Sequence, residues 1–140
     1  MKRFVLDASV SLCWCFENQA TDYSENIFEM MARGTEARVP FLWPVEMANV
    51  LVLAERRKQI TLAQVTALLE EIQQWPIQVD VTGVHRAFYQ ILTAAHEHDL
   101  TAYDAAYLEL AMREALPLAT LDKTLRRAAE AVGVALVGAV

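Results

Sequence analysis

The stretch RFVLDASVSLCWCFE, Arg3–Glu17, changes rhythm at one residue. Arg3 to Leu6 is a short, mostly apolar run of the kind a buried strand uses, and Ala8 onward reads as the helix that follows it. Asp7 stands at the joint. The same arrangement returns near the other end, where PLATL (Pro117–Leu121) reads as a strand, DKTLRRAAEAVG as a helix, and Asp122 marks the change. Each acid stands where a strand gives way to a helix.

Between these units the alternation continues. Helices are predicted over YSENIFEMMARG, with Gly34 as a C-terminal stop, and over WPVEMANVLVLAERRKQ, with Pro44 in the first turn. Another runs from Thr61, its N-cap, to Gln74, where Pro76 ends it; a further one runs from about Val84 to His98. ARVP and IQVDV read as short strands, VALVG as a last one, and TAYDAAYLELAMRE (Thr101–Glu114) as a helix. Strands alternating with helices at this spacing pair in parallel and carry helices on both faces. The fold class is therefore α/β, three layers α/β/α around a short, mostly parallel sheet. The 140 residues make one domain, with no internal repeat, linker or low-complexity tract.

Composition narrows the function. Apolar residues make up 55% and charged ones 21% of the chain, which suits a compact fold. No apolar run is long enough to span a membrane and no signal segment opens the chain, so the expectation is a cytosolic protein. The net charge of −6 argues against bulk electrostatic binding of nucleic acid. Two short basic clusters, Arg56–Arg57–Lys58 and Lys123 with Arg126 and Arg127, read as solvated helix faces. Cys13 and Cys15 lie two apart in a helical stretch, point to nearly opposite sides and read as buried thiols.

Two further carboxylates stand out. In TAYDAAYLELAMRE, Asp104 falls on one side with Tyr107, Leu108 and Ala111, while Glu109 precedes Arg113 by one turn, as an ordinary surface ion pair would. From Val39 to Ala54, Glu46 is the only charged residue and Asn49 the only other strongly polar one. A helix apolar nearly all round is buried in the core or against a partner, and a glutamate there needs a cation or a raised pKa. Asp7, Asp104 and Asp122 also suit the bland role of N-cap. If Asp7, Glu46, Asp104 and Asp122 converge, every pair repels, by roughly 4 kcal/mol for charges ~4 Å apart at an effective dielectric of about 20. Such a cluster calls for a cation, and oxygen ligands alone favour magnesium or manganese over zinc. His96 and His98 diverge on a helix and sit where a helix C-terminus favours positive charge, so they read as structural. There is no Gly-rich phosphate loop and no Ser-His-Asp arrangement.

FVLDASV, PVEMANVL, YDAAYLELA and LATLDKTL together resemble the successive motifs of PIN-domain ribonucleases, and more narrowly of VapC-type toxins of type II toxin–antitoxin pairs. The resemblance runs over nearly the whole chain in the family's order. It implies a PIN-like fold and a magnesium- or manganese-dependent endoribonuclease whose metal is held by Asp7, Glu46, Asp104 and Asp122. It also implies supporting hydroxyls at Ser9 and Thr120 and a polar supporting position at Asn49. The implied partners are an RNA substrate, a small antitoxin protein and a second copy of the chain. Apolar surplus at Phe41, Leu42, Trp43, Val50 and Val52 fits such a homodimer. Two other classes remain: a phosphotransferase with Asp7 as nucleophile, for which a second Asp is missing at Ser9, and a non-catalytic PIN-like binding module.

Overall fold

The structure, a computed structural model, describes residues 1–138. Four strands form one parallel sheet in the order β3-β2-β1-β4: β1 Arg3–Leu6, β2 Glu36–Pro40, β3 Ile77–Asp80 and β4 Leu118–Ala119. Seven α-helices flank them: α1 Ala8–Ser11, α2 Asp22–Ala32, α3 Trp43–Arg56, α4 Leu62–Ile72, α5 Leu92–His98, α6 Ala102–Glu114 and α7 Lys123–Val132. This is the expected three-layer α/β/α architecture with a parallel sheet.

Local chemistry accounts for most boundaries. Thr61 caps α4 through a capping box with Gln64, and Pro44 lies in the first turn of α3. Gly133 closes α7 with φ of 79°, a left-handed conformation that glycine adopts without a Cβ penalty. The core lies where the sheet meets α6. Phe4, Val5, Leu6, Tyr107, Leu108, Leu110 and Leu118 are all fully buried.

Three elements depart from the sequence reading. The helix after β1 ends at Ser11 and tightens into a 3-10 turn over Leu12–Trp14. Ser11, Cys13 and Cys15 each turn their side chains back onto a carbonyl three or four residues earlier, and Trp14 Nε1 donates to the Ser24 carbonyl at 2.8 Å. Such side-chain bonds compete with the helical ladder. The Val84–His98 helix divides into a 3-10 segment, Thr82–Arg86, a π-helical turn, Ala87–Ile91, and α5. The wider turn shifts the helical phase, so Ile91 is buried with Ala105 and Ala106 while Phe88 is 85% exposed. The final strand shrinks to a single parallel bridge between Leu118 and Leu136. Both cysteines are free and buried, as expected.

The apolar surplus also moves. Trp43 belongs to the core and donates to Ser11 Oγ at 3.0 Å, and of the five residues named for a dimer only Val52 is exposed. Large apolar groups instead reach solvent at Val81, Val84, Phe88, Tyr89 and Leu92. No helix among the described residues is long and apolar enough to cross a membrane.

Candidate metal and catalytic site

Strands β1 and β4 pair with Leu6 opposite Ala119, so Asp7 and Thr120 leave the sheet side by side. Asp7 stands at the N-cap of α1, yet its side chain caps nothing. Its Oδ2 accepts instead from the Ser9 hydroxyl at 2.5 Å and from the Thr120 hydroxyl at 2.7 Å. Those hydroxyls are themselves fixed, because the Leu121 amide donates to Ser9 Oγ and the Asp122 amide to Thr120 Oγ1, both at 3.0 Å. A carboxylate only 5% exposed is thus held by two side chains that have no freedom to turn away.

Asp122 does cap its helix, with Oδ1 accepting from the Thr124 and Leu125 amides at 2.8 and 3.1 Å. Glu46 lies in the first turn of α3, and its Oε1 accepts from the Tyr107 hydroxyl at 2.6 Å. Asp104 lies in the first turn of α6 but is not the cap; Thr101 is, accepting the Asp104 amide at 3.1 Å. Asn49 is exposed, and its side chain makes no hydrogen bond among the described residues. A pattern emerges. Asp7, Asp122 and Glu46 each have one oxygen held, and none has its second oxygen buried without a partner.

All four acids stand at the carboxyl ends of strands or the amino ends of helices, where sheets of this kind bind ligands. Their fields overlap. Burial, opposed by the Ser9 and Thr120 hydroxyls, raises the Asp7 pKa, and Asp122 adds to the rise. Burial also raises Glu46, opposed by the Tyr107 hydroxyl, with Asp7 and Asp104 contributing. Asp104 is pushed up to about 6 by burial, then by Asp122 and Asp7. So Glu46 and Asp104 each feel two of the other acids, and Asp7 feels Asp122. They are electrostatic neighbours within a wider circle than a ligand shell. As they stand, no three acid, histidine or cysteine side chains among the described residues are arranged to hold one ion together.

Asp104 gives a test whose sign separates two roles. A lone carboxylate in a helix's first turn stabilises it by about 0.3–1 kcal/mol, so without the cluster Asp104→Asn should weaken the fold slightly. With its pKa raised, first by burial and then by Asp122 and Asp7, the folded state holds a proton that the unfolded chain releases, so stability falls as pH rises from about 4 towards about 6 and stays reduced above. In chelator above that range, Asp104→Asn should therefore be more stable than the parent by about 1 kcal/mol, one partly screened like-charge contact. The gain should vanish near pH 4. Urea unfolding at the two pH values reads it out, and a loss of stability at both would remove Asp104 from the cluster.

The remaining buried acids are differently supplied. Glu109, expected to face water with Arg113, is only 5% exposed. It does pair with Arg113, at 2.8 Å, and also with Arg86. The helical spacing gave the pair correctly but not its surroundings, because α6 is buried on all sides from Ala105 to Ala111. Arg113 continues to Asp80 at 2.7 Å, and Arg38 bridges Asp80 and Glu114. Asp80 ends β3 as Asp7 follows β1, yet its pKa is lowered. Burial is outweighed there by Arg113, the Gly83 amide and Arg38. By contrast, none of the ion pairs among the described residues includes Asp7, Glu46, Asp104 or Asp122. Arg126 donates to the Thr120 carbonyl at 2.8 Å and lies over the Tyr23 ring, so it is no solvated surface charge. Two acid groups coexist, one neutralised by arginines and one not.

Comparison with known proteins agrees with this fold. Solved structures of similar fold include PAE2754 from Pyrobaculum aerophilum, at 20% identity and a TM-score of 0.66 over 90% of this chain and 78% of that one. FitAcB from Neisseria gonorrhoeae has 18% identity and a TM-score of 0.67 over 96% of both chains. VapBC2 from Rickettsia felis, bound to a DNA fragment from their promoter, has 14% identity and a TM-score of 0.63 over 89% of this chain and 92% of that one. A comparison with curated proteins gave no match. The PIN domain model matches residues 4–131, a span that takes in all of the sheet but Arg3 and includes all four acids, and the chain belongs to the PIN domain family.

Proposed function

We propose that the protein is a metal-dependent endoribonuclease and the toxin of a type II toxin–antitoxin pair. One observation carries the nuclease reading. Four carboxylates stand at one end of a parallel sheet with no arginine or lysine paired to any of them among the described residues, while Asp80 and Glu109, also buried, are each paired with arginine. The donor set fits a divalent cation: all oxygen, strongly negative, and with free oxygens on Asp7, Glu46 and Asp122, each already held by its other oxygen. Asp7, Glu46, Asp104 and Asp122 would hold it, drawn closer than they stand. Magnesium or manganese, when bound, lowers the pKa of a coordinated water and offsets charge developing on a phosphodiester.

The chain's own groups do the rest. Ser9 and Thr120 fix Asp7, the α7 amides fix Asp122, and Tyr107 fixes Glu46, so three of the four acids are held by one oxygen before a cation draws the set together. The four carboxylates also repel a bare phosphate. They make RNA binding conditional on the cation, which suits a chain of net charge −6. The toxin role rests on the motif resemblance to VapC-type proteins together with the likeness of fold to VapBC2. An antitoxin would block the site with an arginine, whose guanidinium bridges carboxylates.

The purified chain, freed of any inhibitor, should cleave single-stranded or looped RNA with magnesium or manganese and stop on chelation. Inertness on total RNA with manganese present would overturn the proposal and favour a binding module. Light scattering at micromolar concentration should show a homodimer, its exposed apolar groups covered; a monomer would refute that part.

A further inference from the structure

We propose that Tyr107 is a positioning residue whose hydroxyl keeps Glu46 inside the acid cluster and so sets the cluster's affinity for a divalent cation. This rests on the metal-site reading above.

Glu46 is the least constrained of the held acids. Asp7 is gripped by two hydroxyls, and Asp122 by two backbone amides. Glu46 has a longer side chain and, among the described residues, one hydrogen bond, from Tyr107. Asp7 and Asp104 both repel it. α3 is half-exposed at this turn, with Val45 71% exposed beside a Glu46 that is itself only partly buried, so water lies within reach of the carboxylate. Repulsion favours a swing towards it, and the tyrosine bond opposes that swing. At 2.6 Å the contact lies in the range of a charge-assisted O–H to carboxylate bond.

Tyr107 suits the task because it cannot move. Its ring is fully buried, and it sits on α6 one turn past Asp104, so one helix supplies both an acid of the cluster and the tether of another. A tyrosine has a single proton to donate, which leaves Glu46 Oε2 for a cation. A lysine or arginine in the same place would hold Glu46 equally well but would cancel charge that the cation needs.

The rival is a plain clamp between α3 and α6, and the two roles part in Tyr107→Phe, which keeps the ring and removes only the hydroxyl. Manganese chloride titrated calorimetrically into the chelator-stripped full chain should show a dissociation constant raised about 10- to 100-fold, as for other residues that orient metal ligands. The rise in Tm on adding saturating manganese should shrink as well; being a difference, it is unaffected by a general loss of stability. In a Glu46→Gln background, Tyr107→Phe should shrink that rise no further. A clamp predicts a lower metal-free Tm with the dissociation constant within about twofold of the parent, or the same added loss in both backgrounds, and either result overturns the proposal. If the parent itself binds no manganese, the metal-site reading falls and this inference with it. If the parent binds and Tyr107→Phe binds equally well, this inference alone falls.

Discussion

Glu109→Ala is expected to lower the stability of the protein by about 3 kcal/mol, more than any substitution at the four clustered acids. Removing one partner from a buried ion pair typically costs about 3–5 kcal/mol, because the charges left behind are uncompensated. Glu109 answers two arginines, Arg86 and Arg113. The lower end applies because those arginines keep 31% and 20% of their side-chain surface in water, and Arg113 retains Asp80. Against a total stability of about 5–15 kcal/mol for a domain of this kind, the loss is large. Chemical unfolding at neutral pH measures it, and a change under 1 kcal/mol would show that the network is dispensable. Lower pH should weaken the same network through Asp80. Its folded pKa is lowered, so its contribution is complete above the ordinary carboxylate range and is lost as pH falls through the folded value.

Asp7→Asn should act in the opposite manner, with a large effect on activity and little harm to the fold. On the nuclease reading, the cation supplies several kcal/mol of charge stabilisation, and each 1.36 kcal/mol is tenfold in rate. Loss of the most buried ligand should therefore reduce cleavage by about 100-fold or more. Asparagine keeps the size of aspartate and can still accept from the Ser9 and Thr120 hydroxyls. It also relieves a buried charge whose pKa is raised, mainly by burial. In chelator the variant should consequently be at least as stable as the parent at neutral pH. Cleavage retained at a tenth of the parent rate or better would place Asp7 outside the chemistry. Parallel loss of stability and activity would mean that it is a structural acid.

The two carboxylates also show where sequence reading succeeds and where it stops. Signals carried by a few neighbouring residues were legible: the strand–acid–helix joints at Asp7 and Asp122, the Thr61 cap, Pro44 in the first turn of α3, and the Gly34 stop after α2. Features set by distant partners were not. Asp80 and Asp7 both stand at the end of a strand, and only the positions of Arg38 and Arg113 make one an ion-pair partner and leave the other among acids. The tether on Glu46 was missed because Tyr107 lies 61 residues away, although its helical spacing from Asp104 could have raised the question. The π-helical turn at Ala87–Ile91 and the loss of the last strand likewise answer to packing beyond their own segments.

The strand order has a consequence for the making of the protein. Asp7 follows β1, but its neighbour in the sheet is β4, which comes more than a hundred residues later. A growing chain can form α2, β2 and α3 while Thr120 and Asp122 are still to be added, so Asp7 waits without its second hydroxyl and the cluster lacks an acid. Contacts so far apart in sequence form late, since a long loop must close before they repay its entropy. If the protein cuts RNA, its site is complete only once the segment that carries Thr120 and Asp122 has been made.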